Sequence, residues 1–128
     1  MKTVLLPTDF SKNAWNAIFT ALKLFHNIQC KFVLFHTYEP SLTDVIGDQG
    51  EKRLGGIYES MEEESRRHMA EITDYLKEHH RNPRHEFKVV IRPGDLVGEV
   101  RERMKKHPVD FIVMGTQGAT GAQRVLLG

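Results

Sequence analysis

Four short apolar runs, separated by amphipathic segments long enough to be helices, constrain this chain more than any other feature. The runs are Val4-Leu5-Leu6, Cys30 to Tyr38, Phe87 to Ile91 and Phe111-Ile112-Val113-Met114. Runs this short and apolar read as strands buried on both faces of a parallel sheet. After the first, Ser11 can cap a helix whose residues Ala14, Ile18, Ala21, Leu22 and Phe25 share one stripe, with Trp15 at its margin. The segment from Ser41 to about Gly50 reads as a loop, and a long helix begins near Glu51. Its stripe is Leu54, Ile57, Tyr58, Met61, Met69, Ile72, Tyr75 and Leu76. Glu62-Glu63-Glu64 and Arg66-Arg67 lie off it as a solvated face, and Asn82-Pro83 ends the helix. Asp95 can cap a third helix carrying Leu96, Val97, Val100 and Met104, closed by His107-Pro108. The order β-α-β-α-β-α-β predicts an α/β fold, a parallel twisted sheet with right-handed crossovers and helices on both faces.

A length of 128 residues fits one domain, 1–128. Eighteen basic residues oppose seventeen acidic ones, so the charge balance carries no nucleic-acid or membrane footprint. No apolar run approaches the roughly 18 residues of a membrane helix, and the N-terminus is too short in apolar residues for a signal peptide. The single cysteine, Cys30, cannot form an internal disulfide and reads as a small buried hydrophobe, which fits a reducing cytoplasm.

In such sheets ligands bind beyond the carboxyl ends of the strands, where strand order reverses. Here the first strand ends in Pro7-Thr8-Asp9. The fourth runs without a spacer into Gly115-x2-Gly118-x9-Gly128, with a short apolar, helix-like stretch inside it. If the two strands are neighbours, both segments face one crevice. Glycines let the backbone approach a ligand and leave its N–H groups open to oxyanions such as phosphate, although an ordinary strand-to-helix turn uses them too. The segment holds no lysine and is not a Walker A loop.

These residues together resemble the universal stress protein family over the whole chain. The resemblance rests on Val4-Leu5-Leu6-Pro7-Thr8-Asp9 with Ser11, on Leu34-Phe35-His36, on Arg92-Pro93-Gly94, on Asp110-Phe111-Ile112-Val113-Met114-Gly115, and on the glycine spacing, which is similar to that of the family's ATP-binding branch. It implies a Rossmann-like, adenine-nucleotide α-hydrolase-like sheet of order 3-2-1-4(-5). It also implies a cytoplasmic stress-response regulator binding ATP, AMP or ADP, with Mg2+ or Mn2+ on the phosphates. By the same resemblance Pro7, Thr8 and Asp9 sit against adenine and ribose, and Thr37 borders the adenine. Met114, Gly115 and Thr116 line the ribose and first phosphate, and Gly118 and Gly128 admit phosphates to the backbone. The implied partner is an adenine nucleotide, with pairing as a homodimer or in a tandem chain. From the residues themselves, Asp9 suits ribose hydroxyls or a phosphate-bound metal first, with the start of a helix cap as the alternative. Thr37 is equally a plain strand end.

The family's pattern continues past the last glycine with Ser or Thr, a helix and a fifth strand. Their absence predicts a longer natural chain, an exposed edge at Phe111–Met114, and no partner for Val125-Leu126-Leu127. The alternative function is a non-nucleotide dimerisation or interaction module of the same fold. No Gly-x-Gly-x-x-Gly follows the first strand, which argues against a dinucleotide oxidoreductase, and Asp9 has no acidic neighbour for phosphoryl acceptance. The adjacent His79 and His80 do not make a metal-binding i, i+4 pair, and His36 reads as a hydrogen-bonded core histidine. No catalytic set is evident, so at most slow ATP hydrolysis is expected.

Overall fold

The computed structural model describes residues 1–40, 50–115 and 123–127, and for residues 50–53 and 123–127 the backbone path alone. Its elements are β1 (Lys2–Pro7), α1 (Lys12–Leu24), β2 (Cys30–Tyr38), α2 (Gly50–His79), β3 (His85–Pro93), α3 (Leu96–Lys106), β4 (Phe111–Gly115) and β5 (Gln123–Leu127). The sheet order is β3-β2-β1-β4-β5. The first four strands are parallel, with Leu5 opposite both Val33 and Ile112. Asp110 pins the start of β4 to β1: its Oδ2 accepts from the Thr3 N–H at 2.8 Å and its N–H donates to the Thr3 carbonyl at 2.9 Å. The expected loop from Ser41 lies outside the described residues, up to the helix start at Gly50.

The sheet divides the core into two layers. On one face Val4, Leu6, Phe32, Leu34 and Val113 meet Ala17, Ile18 and Ala21 of α1 and Met69, Ile72 and Leu76 of α2. On the other, Leu5, Val33, Phe35, Val90 and Ile112 are covered by Leu96 and Val100 of α3. Every residue of the predicted α1 stripe is buried, as is Cys30. In α2 the lower stripe is buried, but Tyr75 stays 42% exposed.

Three expectations change. β3 is longer than Phe87–Ile91, because its backbone pairs with β2 along its whole length while Glu86, Lys88 and Arg92 stay exposed. Charged side chains suit an outer strand, where they discourage further pairing. On α3 only part of the predicted apolar set packs. Leu96 and Val100, one turn apart, meet the sheet, whereas Val97 and Met104 lie seven residues apart on another stripe and are 59% and 37% exposed. Lastly, β4 is not an edge, and the stretch after the glycines is not helical. Gln123–Leu127 pairs with β4 antiparallel, Val125 opposite Val113 and Leu126 opposite Ile112. A β4 flank left open would present a row of unpaired N–H and C=O groups, and a neighbouring apolar segment with β-branched content satisfies them.

Candidate functional site

The carboxyl ends of β1, β2 and β4 and the first turn of α1 enclose a cleft of about 230 Å3. It is lined by Pro7, Thr8 and Asp9 from β1 and its turn, His36 and Thr37 from β2, and Met114 and Gly115 from β4. Ser11, Asn13 and Ala14 of the α1 entry close one side, and Leu96 of α3 adds an apolar wall. The adjacency of β1 and β4 brings the two ends together. Thus Pro7, Thr8, Asp9, Thr37, Met114 and Gly115 share one cleft, while Thr116, Gly118 and Gly128 lie outside the described residues.

Local hydrogen bonds fix the β1–α1 turn. The Thr8 N–H donates to the Phe35 carbonyl at 2.8 Å, extending the β1–β2 ladder past Pro7. Thr8 is only 6% exposed, and its Oγ1 accepts from the Phe10 N–H at 3.1 Å. Asp9 Oδ1 accepts from the Ser11 N–H at 2.9 Å, which makes an Asx turn. Ser11 in turn caps α1, its Oγ accepting from the Ala14 N–H at 3.2 Å. Asp9 therefore does shape the helix entry, while its carboxylate remains exposed at the cleft. No acidic residue lies in the first turn of α1, and Asp9, just before the cap, is the carboxylate at its positive end.

Phe10 takes φ +66°, a left-handed conformation costly for a bulky residue. The turn places its ring between two histidines, with centroids 4.3 Å from His36 and 4.8 Å from His68. His36 Nδ1 lies 2.7 Å from the Thr8 carbonyl. A carbonyl only accepts, so Nδ1 carries the hydrogen. Burial pushes the His36 pKa down; the Thr8 bond and Asp9 oppose this and His68 adds to it, leaving the ring below its ordinary value. At Asp9 burial pushes the carboxyl up, but the bonds from the Ser11 hydroxyl and backbone N–H outweigh it and hold the group below its usual value.

At Gly115 the β4 backbone packs tightly against the first turn of α1. A Cβ there would lie 2.7 Å from the Asn13 carbonyl oxygen and 2.9 Å from its carbon. Both are backbone atoms of the first helical turn, so no rotamer change relieves the clash. Among the described residues no group of three His, Cys, Asp or Glu side chains is placed to hold a metal. No helix among them is long and apolar enough to cross a membrane.

A family model described as "Universal stress protein family" matches residues 1–128. The chain belongs to the universal stress protein family. Among curated proteins none matches it. Solved structures share its fold. The hypothetical protein MJ0577, subject of a structure-based assignment of biochemical function, aligns with TM-score 0.73 at 24% identity, over 94% of this chain and 78% of that one. The universal stress protein UspA from Lactobacillus plantarum aligns with TM-score 0.73 at 19% identity, over 99% and 85%. A universal stress protein family member from Burkholderia pseudomallei gives 0.66 at 18% identity, over 90% and 81%. This universal stress protein therefore carries the family's sheet, and these identities speak to fold alone.

Sequence reasoning did not assign Asn13, Ala14 or Leu96 to the cleft. The signal was present for each: they sit within the first turn after the caps Ser11 and Asp95, and helix starts in this topology face the strand ends.

Proposed function

We propose that this universal stress protein binds ATP, or AMP or ADP, in the cleft at the ends of β1 and β4, as a regulatory protein of the cytoplasmic stress response. One observation carries the reading: Pro7, Thr8, Asp9, Thr37, Met114 and Gly115 converge on one cleft at the entry of α1. The residues fit the group. Asp9 offers a carboxylate to ribose hydroxyls, Thr37 offers a hydroxyl, and Leu96 and Met114 offer apolar surface to a base. The cleft's 230 Å3 lies below the roughly 300–1,000 Å3 of sites for drug-sized ligands. That size suits a nucleoside, and in this reading the phosphates extend past Gly115, with the backbone N–H groups of Thr116 and Gly118 as their donors; Gly128 is not among them, because Leu127 before it pairs with Phe111 at the other end of β4. The described residues hold no metal cluster of their own. In the same proposal Mg2+ or Mn2+ would be held by the phosphates, with Asp9 as the carboxylate at the cleft that would assist.

Calorimetric titration of the protein with ATP and Mg2+ tests the reading. Gly118→Val crowds the phosphate path and should weaken binding at least tenfold, about 1.4 kcal/mol. Equal affinity in both proteins refutes the phosphate assignment. A protein that binds no adenine nucleotide but forms dimers is an interaction module of the same fold instead.

A further inference from the structure

A second, larger cavity lies away from the strand ends. It is a groove of about 970 Å3 between the C-terminal halves of α1 and α2. Its apolar surface is aromatic: Phe19 and Tyr75 meet edge to face at 6.0 Å, and both contact Trp15, at 5.4 and 5.5 Å. Tyr75 also packs on His79, centroids 4.3 Å apart. The ionisable residues of its lining are Lys23, His26, Tyr75, His79 and His80, and it includes no carboxylate. Glu78 stands beside this rim, 3.9 Å from His79 Nε2.

A hydrogen-bond relay holds the histidine end in place. His85 Nε2 lies 2.8 Å from the Phe25 carbonyl and must donate to it. His85 Nδ1 is then an acceptor, and His80 Nε2 donates to it at 2.9 Å. The remaining nitrogen of His80, Nδ1, takes up a proton without breaking the relay. Asn82 closes the same corner by donating to the His26 carbonyl at 3.0 Å. An aromatic ladder on one side, and on a braced rim one ammonium with three protonatable imidazoles and no carboxylate in the lining, are complementary to a flat ring bearing a negative group.

We propose that the groove between α1 and α2 binds a planar aromatic carboxylate, its ring against Phe19 and Tyr75 and its anion among Lys23, His26, His79 and His80. This site is separate from the strand-end cleft and does not depend on nucleotide binding. Burial, His85 and His26 hold His80 below its ordinary pKa. An anion in the groove reverses that bias. The titratable groups around His80 are Lys23 and His26, from α1 and the turn after it, and His79 of α2, which share the groove, and His85 from β3; Glu78 stands beside His79. Binding therefore takes up a proton at His80 and tightens as pH falls below its ordinary 6.5.

The test uses the indole N–H resonance of Trp15, the chain's only tryptophan, in NMR titrations with 2-naphthoate, neutral 2-naphthamide and non-aromatic cyclohexanecarboxylate. We expect a saturable shift with 2-naphthoate and at least tenfold weaker binding of the other two. Lys23→Glu should weaken 2-naphthoate at least tenfold and leave 2-naphthamide unchanged. Tyr75→Ser, at a half-exposed position the fold tolerates, should weaken both aromatics, whereas Lys105→Glu on α3 should change nothing. Non-saturable shifts, equal binding of the acid and the amide, indifference to Lys23→Glu, or shifts centred on Thr8 and Gly115 overturn the proposal.

Discussion

Replacing Gly115 with alanine tests how tightly β4 is seated on α1. The added Cβ would stand 2.7 Å from the Asn13 oxygen and 2.9 Å from its carbonyl carbon. Ordinary contacts begin near 3.4 Å, so strand and helix must part by several tenths of an ångström. Overpacking of this kind costs about 1–3 kcal/mol. An opposing effect is worth about 0.4–1 kcal/mol, because alanine restricts the unfolded chain, and Gly115 does not need the left-handed region that alanine avoids. The difference of the two midpoints is about 1.3 kcal/mol of destabilisation. An unfolding entropy of about 2.1 cal/mol/K per residue over 128 residues gives about 0.27 kcal/mol/K, hence a Tm lower by about 5 °C. Thermal melting by circular dichroism reads the shift, and urea titration with an unchanged slope confirms that stability alone moved. A variant that melts with the wild type would show that β4 and α1 part freely and that Gly115 is not required by packing.

Ser11→Ala removes the α1 cap and should cost about 1 kcal/mol, with Ser11→Asp restoring most of it in the same melt; no loss would mean that the cap contributes nothing. His36 has a folded pKa below its ordinary 6.5, so the unfolded chain binds more protons across that window. Stability should fall as pH drops through about 6.5 toward the folded value. His36→Asn keeps an N–H for the Thr8 carbonyl and should flatten that slope in urea titrations between about pH 7 and pH 5. Part of the slope remains, because His80 and His107 are displaced in the same direction; an identical slope in the variant would exonerate His36. Since the glycine segment carries no lysine, phosphate release from ATP should stay below the roughly 1–100 s⁻¹ of kinases, and turnover in that range abolished by Asp9→Asn would make the protein an enzyme.

The parts of this molecule legible in the sequence are those where local pattern and tertiary environment demand the same thing. The parallel core is one: β1 and β2 are apolar throughout their middles because helices cover both faces, and α1 buries every residue of its stripe. The illegible parts are those where pairing or packing overrides composition. β3 extends through Glu86 and Arg92 because its backbone ladder to β2 needs no apolar side chains. α3 covers only one face of one sheet, so of its apolar residues Leu96 and Val100 suffice, and Val97 and Met104 carry no signal that distinguishes them beforehand. Val125-Leu126-Leu127 is as apolar as a buried helix turn of the same length, and only the open flank of β4 decides it as an antiparallel strand. At the strand-end cleft, topology was readable through the family resemblance: the strand order it implies puts β1 beside β4, and with it the meeting of Asp9 and Gly115. What no spacing rule contains is the left-handed Phe10, whose ring between His36 and His68 ties the β1–α1 turn to α2. A bulky residue holds φ +66° only where its surroundings compensate a cost of about 1–3 kcal/mol. Here the compensation comes from both ring contacts and from the Thr8 hydroxyl that accepts the Phe10 N–H. The turn that orients Asp9 and Ser11 is thereby fixed by residues from β1, β2 and α2 together, which is why it could be located in the sequence but not shaped from it.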